Sequence, residues 1–293
     1  MSNKSGVSLT VDDSRIPSPR ISVIVAVFNA EKTLQHCIDS IAGQVYRNIE
    51  LIVVDGGSSD RTVEIICANG SRVAAWLSEP DTGVYNAWNK GLRLATGDWI
   101  CFLGADDYFW SESVLVSMVE RLNTVSLEIR LVYGQVMLLS SEGLPLYPIG
   151  EPWSAIRDRF LQVMCIPHPG LLHRRSLFEE HGGFDESFRI GGDYEMMLRD
   201  VSKAAPVFVQ CICVGMRQGG ISSSPENAVA AMLEARKAQR MHGMRWPGRH
   251  WISALLRVYF RMILWRLVGE KNARRFIDIG RRMRGLPPYW TRT

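Results

Sequence analysis

Residues 21–55, ISVIVAVFNAEKTLQHCIDSIAGQVYRNIELIVVD, hold the pattern that decides the fold. Residues 21–28 (ISVIVAVF) and 50–55 (ELIVVD) are β-branched, nearly uninterrupted apolar runs, as expected of strands buried on both faces of a parallel sheet. Between them Leu34, Ile38, Ile41 and Val45 recur at helical spacing, so the stretch predicts a β-α-β unit.

A second unit follows. Ser58 and Asp60 are placed to cap a helix carrying Val63, Ile66 and Cys67, and residues 74–77 read as a short strand. Residues 85–95 form a helical pattern that stops before Gly97, and residues 99–103 (WICFL) are another buried strand running into Gly104-Ala105-Asp106-Asp107. Right-handed crossovers then place the strand ends near Asn29, Asp55 and Asp106 along one sheet edge, where open α/β sheets bind ligands. Further on, residues 111–125 and 225–241 read as helices, 131–139 as a strand and 153–161 as a weaker helix; Trp246-Pro247-Gly248 marks a boundary.

Several function classes fall away. The first strand-to-helix turn, Asn29-Ala30-Glu31, has no glycine and cannot be a G-x-G-x-x-G dinucleotide loop; a P-loop and a G-x-S-x-G elbow are absent as well. The six cysteines stand inside apolar runs without C-x-x-C pairs, which reads as buried thiols of a reducing compartment. Cys165, His168 and His173 match no zinc spacing. With 46% apolar and 22% charged residues in 293, the composition is globular, but the net charge of +4 hides a split. From Arg245 onward there are twelve bases and two acids, a net of +10, which leaves −6 for the preceding body. A uniformly basic nucleic-acid binder is excluded, and no nucleic-acid partner is expected.

The strand ends offer carboxylates instead: Asp55 before a Gly-Gly-Ser-Ser-Asp turn, and Asp106-Asp107 after a buried strand. Such groups hold Mg²⁺ or Mn²⁺ that bridges to a diphosphate, or they merely cap a turn and open a loop. Together the motifs are more specific. Residues 54–62 (VDGGSSDRT) resemble the V-D-D-G-S-x-D-x-T signature of family 2 glycosyltransferases, and residues 78–91 (SEPDTGVYNAWNKG) resemble that family's S-E-x-D-x-G-x-Y-D-A-x-N-K-G segment. Residues 103–107 stand at its D-x-D, Gly182-Gly183-Phe184-Asp185 matches its G-G-F-D turn, and Gly192-Asp193-Tyr194-Glu195 stands at its E-D motif.

The resemblance implies a GT-A fold of the α/β class, with a mostly parallel central sheet, flanking helices and a basic amphipathic helical C-terminal segment. It also implies an inverting transfer of a sugar from a nucleotide-diphosphate donor, by preference a UDP-sugar, to a saccharide hydroxyl. Asp193 is the implied general base, with capping of a helix at residues 194–201 as its alternative role. Asp106 is the implied ligand of Mg²⁺ or Mn²⁺. Phe28, Asn29, Asp55, Asp81, Lys90 and Asp107 fall on the donor side, and His168 on the acceptor side. Gly104 replaces the first D-x-D aspartate, so tight metal binding is not expected, and Gly192 replaces the E-D glutamate while the aspartate is kept. A degenerate nucleotide-sugar-binding or scaffold protein and a glycoside hydrolase remain as alternatives. Gly219-Gly220-Ile221-Ser222 resembles a further family segment with no derivable role.

The chain thus divides into a tail (1–19), a glycosyltransferase domain (20–244) and a basic helical segment (245–293). Residues 251–268 span 18 residues but carry Arg257, Arg261 and Arg266, too short and too charged for a membrane crossing. They are read either as a helix packed on a domain or partner, or as an interfacial helix on an anionic membrane surface. The second reading suits a lipid-linked saccharide acceptor and a cytoplasmic protein peripheral to the inner face of the cell membrane.

Overall fold

A computed structural model describes residues 18–140, 142–218, 225–283, 285, 288, 290 and 291. The stretch 219–222 singled out above lies outside the described residues, as does most of the N-terminal tail.

The apolar runs form the strands the pattern predicts: β1 (Ile21–Val27), β2 (Ile49–Asp55), β3 (Ala75–Ser78) and β4 (Trp99–Gly104), ordered β3-β2-β1-β4 and all parallel. Helices α1 (Leu34–Ala42), α2 (Thr62–Ala68) and α3 (Val84–Leu94) connect them. Both sheet faces are covered, which is why the runs do not alternate with polar residues. Ile21, Val23 and Val25 of β1 join one core with Leu34, Ile38 and Ile41 of α1, while Ile24 joins a second core with Tyr85 and Trp88 of α3.

The remaining strands turn the sheet mixed. After β5 (Tyr108–Phe109) and α4 (Val114–Leu122) come β6 (Leu131–Leu139), β7 (Pro145–Ile149), α5 (Trp153–Phe160), β8 (Leu172–Arg174), α6 (Arg175–His181), α7 (Gly192–Leu198) and β9 (Val207–Arg217). β8 lies antiparallel between β4 and β6, and β9 pairs with both β6 and β5. The chain continues through α8 (Pro225–Met241), α9 (Arg249–Val268) and α10 (Glu270–Arg282).

Register positions the site. Val27 of β1 stands beside Asp55 of β2, Ala26 beside Gly104 of β4, and Asp55 beside Ser78 of β3. The loops that leave these four strands therefore share one edge. At the opposite edge the buried Glu50 closes the sheet by accepting hydrogen bonds from Ser22 Oγ (2.5 Å), Gly97 N–H (2.9 Å) and Thr96 Oγ1 (2.8 Å).

Candidate active site

The edge opens into a cleft of about 520 Å³ lined by Phe28, Asn29, Lys32, Asp60, Gly104 and Asp106, among others. Its walls are two interlocked loops. Asn29 has the left-handed φ of +49°, a region Asn tolerates because its side chain can bond locally. Here Asn29 Oδ1 accepts Ser59 N–H (2.9 Å), and its own N–H donates to Ser58 Oγ (2.7 Å). The next two amides donate to Thr62 Oγ1 (2.8 Å) and to Asp60 (3.0 Å). Phe28, 63% exposed, stands at the mouth, where an aromatic face is free for a flat ring to stack on.

Asp55 has a different place from its neighbours. It is fully buried, and its carboxylate accepts Ser58 Oγ (2.5 Å), Ser58 N–H (3.1 Å), Gly57 N–H (3.3 Å) and Ser78 Oγ (2.6 Å). The turn-capping role weighed for it is therefore present, and in this arrangement the carboxylate shapes the turn rather than facing the cleft. Asp81 lies over that turn: its Oδ2 fills the space a side chain on Gly56 would take, and its Oδ1 accepts Gly83 N–H (2.9 Å). Lys90 also acts from behind. Buried in α3, it donates to Pro80 O (2.9 Å) and pairs with Glu79 (2.8 Å), which fixes the loop carrying Asp81. The cation that does line the cleft is the exposed Lys32, which no motif singled out.

After β4, Asp106 is exposed at the cleft while Asp107 is buried and accepts Gly104 N–H (3.1 Å). Burial, and then the charge of Asp106, push the Asp107 carboxyl up to about 8. With no side chain at Gly104, the Asp106 carboxylate occupies part of the gap: its Oδ1 lies 2.9 Å from where a Cβ would be. The donor set for a cation is one exposed carboxylate with a buried one behind it. That fits a hard divalent ion that keeps water and takes its other ligands from a diphosphate. No cluster of three or more metal-ligating side chains exists among the described residues.

Asp193 enters from the second half of the chain, half-buried in the first turn of α7. Its Oδ1 accepts Tyr194 N–H (2.8 Å) and lies 3.4 Å from the hydroxyl of Tyr85, which stands at the start of α3, four residues past Asp81. Burial pushes its carboxyl up to about 6, against the hydrogen bonds from Tyr194 and Tyr85. The place of the missing motif glutamate is taken: a Cβ on Gly192 would lie 2.8–3.0 Å from three ring carbons of Tyr85. Tyr85 was legible only as a motif letter, and its contact with Asp193 was not.

His168 requires a correction. It does not face an acceptor; it is buried against Trp88 (4.8 Å), His173 (5.2 Å) and Phe102 (5.8 Å). Burial, reinforced by His173, holds the imidazole well below its usual range, so it is a neutral member of an aromatic core. The acceptor-side placement rests on the family resemblance alone, and the ring stack around His168 carries no periodic signal in the sequence.

Residues 22–180, more than half of the chain, match the family described as Glycosyl transferase family 2. The chain is a family 2 glycosyltransferase. It is 31% identical over 213 residues to a PGL/p-HBAD biosynthesis glycosyltransferase of Mycobacterium tuberculosis, covering 71% of this chain and 80% of that one. Among solved structures, Staphylococcus aureus TarS 1-349 in complex with UDP-GlcNAc superposes with a TM-score of 0.60 at 17% identity, over 82% of this chain and 71% of that one. The mannosyltransferase PcManGT of Pyrobaculum calidifontis, in complex with GDP-Man and Mn²⁺, superposes at 0.55 and 17% identity, over 93% and 83%. At such identities these two likenesses concern the fold alone, and for this glycosyltransferase the fold is GT-A.

Proposed function

We propose that this glycosyltransferase moves a sugar, with inversion, from a nucleotide-diphosphate donor to a saccharide hydroxyl, and that Asp193 is the base. What carries the reading is Asp193 itself: a half-buried carboxyl, raised to about 6, whose Oδ1 lies 3.4 Å from the hydroxyl of Tyr85 at the start of the helix that follows the Asp81 loop. A base in that range is ionised at neutral pH yet still takes up a proton effectively. The acceptor oxygen attacks the anomeric carbon, the bond from that carbon to the diphosphate oxygen breaks, and the hydroxyl proton passes to Asp193. Inversion follows from one in-line displacement, with no covalent enzyme intermediate.

On the donor side, Phe28 offers a stacking face for the base, and the loops fixed by Asp55 and Lys90 carry Asn29 and Asp81 to the cleft. Lys32 faces the diphosphate. Mg²⁺ or Mn²⁺, held by Asp106 with Asp107 behind it, would neutralise charge on the leaving diphosphate. UDP is the preferred nucleotide, a choice supported by the UDP-GlcNAc complex of a protein with this fold. Asp193→Asn should lower transfer by about 10²- to 10⁴-fold while nucleotide binding persists. Near-normal turnover would remove Asp193 from the role.

The acceptor is proposed to be lipid-linked, with the enzyme resting on an anionic membrane face. None of the described helices is long and apolar enough to cross a membrane. Yet α9 has no fully buried residue, and Ile252, Leu256, Tyr259, Phe260, Ile263 and Leu267 form one exposed stripe along it. On α10 the exposed Phe276, Ile279 and Met283 run beside the exposed Lys271, Arg275 and Arg282. An apolar stripe flanked by bases fits the boundary of an anionic bilayer, at about 1 kcal/mol per base near the surface. Full-length protein should float with anionic but not zwitterionic vesicles at low salt, and Lys271→Glu with Arg275→Glu should abolish flotation. Equal behaviour on both vesicles refutes the docking.

A further inference from the structure

The turn that delivers Asp193 is held by a residue 43 to 45 positions downstream. In α8, Glu234 accepts three consecutive backbone N–H groups: Arg189 (3.0 Å), Ile190 (2.8 Å) and Gly191 (2.7 Å). Gly191 is the residue before α7, and a Cβ there would lie 3.3 Å from Glu234 Cβ, so the helix and the turn are in direct contact. The other side of the same turn is held from α3, where the Tyr85 hydroxyl donates to Ile190 O (2.5 Å). The Ile190 residue is thereby gripped at its N–H by α8 and at its C=O by α3, three residues before Asp193.

We propose that Glu234 is a positioning residue for the base: its carboxylate, with the Tyr85 hydroxyl, fixes the Arg189–Gly191 turn and so sets where Asp193 meets the acceptor hydroxyl. The inference rests on Asp193 being the base. Glu234 is not alone in holding this part of the fold. One turn along α8, Lys237 already ties the same loop by donating to Ser187 Oγ (2.7 Å) and lying over Phe188 (3.9 Å). Where α7 meets α8 lower down, Glu195 is bonded to Arg199 (3.0 Å) and His242 (2.9 Å). What Glu234 adds is geometry and charge at the start of α7. Three amide donors converging on one carboxylate are strong charge-assisted bonds, and losing them frees the turn by more than the tolerance of a reacting pair.

Charge supplies a readout that a purely structural role would not move. The groups facing Asp193 are Tyr85 from α3 and Glu234 from α8, and the negative charge of Glu234 raises the Asp193 carboxyl. Glu195, Arg199 and His242, which lie at the same helix pair, are bonded to one another.

The test compares Asp193→Asn, Glu234→Gln and Glu234→Ala in the full chain, with donor analogue binding and thermal melting confirming that each is folded. Expected for Glu234→Ala is a loss of about 10- to 100-fold in kcat, with the donor KM within about twofold. Glu234→Gln keeps the shape and part of the hydrogen bonding. It should lose less and should move the acid limb of the pH–rate profile to lower pH. If Asp193→Asn is dead while both Glu234 variants keep full kcat and an unmoved acid limb, the positioning role is overturned and the base stands. If Glu234→Ala does not fold, the acid limb of Glu234→Gln decides alone. Near-normal turnover in Asp193→Asn overturns both assignments.

Discussion

Restoring the motif at position 104 is a direct test of how the cation side of the cleft is built. In Gly104→Asp the new Cβ would lie 2.9 Å from Asp106 Oδ1 and 3.2 Å from Asp107 Oδ2. Both contacts are with the ends of carboxylates, and Asp106 is exposed and free to swing aside. The steric cost is therefore small, and the electrostatic one dominates. With the buried Asp107 carboxyl pushed up to about 8 and so largely protonated at neutral pH, a new carboxylate roughly 4–5 Å from the exposed Asp106 adds about 1–4 kcal/mol of repulsion in the effective dielectric of a protein surface, with the lower end expected for an exposed pair. For a chain of this size that lowers Tm by about 2–8 °C without metal. With Mn²⁺ and UDP present the sign reverses, because the same carboxylate now supplies a second protein ligand. A tenfold tighter site contributes about 1.4 kcal/mol more stabilisation at saturating ligand, or about 3 °C. Differential scanning fluorimetry with and without Mn²⁺, at fixed UDP, separates the two effects. The reasoning predicts a lower Tm without metal and a larger metal-dependent increment than in the parent protein. An increment equal to or smaller than the parent's would mean that position 104 does not face the cation, and that Asp106 is not its ligand.

Gly192→Ala should behave oppositely to a usual helix substitution. Alanine gains about 1 kcal/mol over glycine within a helix, but here the added methyl meets the buried Tyr85 ring at 2.8–3.0 Å, and overpacking costs about 1–3 kcal/mol. The variant should melt no higher than the parent and lose kcat as the ring and Asp193 separate; a more stable, fully active protein contradicts this. The pH–rate profile should show an acid limb near 6. Asp193 is protonated below that pH, so kcat/KM should fall toward tenfold per pH unit on the acid side. Tyr85→Phe removes a hydroxyl whose one proton goes mainly to Ile190 O and only weakly, across 3.4 Å, to Asp193, so its limb should move up by less than about one unit. A profile flat down to pH 5 would show that Asp193 does not titrate in the reaction.

The first half of the fold was legible because its information is local. In residues 21–104 each strand is an apolar run, each helix has its own spacing, and the loops carry the chemistry at strand ends that parallel topology aligns. The observed β1, β2 and β4 begin and end within one residue of the runs read from sequence. The second half depends on pairings that leave no such trace. β8 has only three residues, β9 pairs with a shifted register against β6, and α7 starts two residues before the 194–201 helix for which Asp193 is the capping candidate. Individual roles followed the same division. Asp106 could be placed because its strand could. The burial of Asp55 under Ser58 and Ser78, the backward turn of Lys90 onto Pro80 O and the burial of His168 beside Trp88 depend on what comes from elsewhere in the chain.

The two glycines that depart from the family's motifs are not equivalent, and the difference says how the two sides of the site are made. At Gly104 the missing side chain leaves a gap bordered by the exposed carboxylate of Asp106, so one substitution would add a second carboxylate beside it. At Gly192 the space is filled by a buried aromatic ring whose hydroxyl holds Ile190 O and reaches Asp193. The glutamate that would stand there has been replaced by packing: the turn before α7 is braced by Tyr85 on one side and by Glu234 on the other. Two residues far apart in sequence meet on the turn that carries Asp193, the proposed base. A substitution at 192 must therefore be compensated at Tyr85, whereas one at 104 need only move the end of Asp106. In the proposed reading, the donor side is assembled from loop ends, and the acceptor side from a packed bracket that positions a single carboxylate.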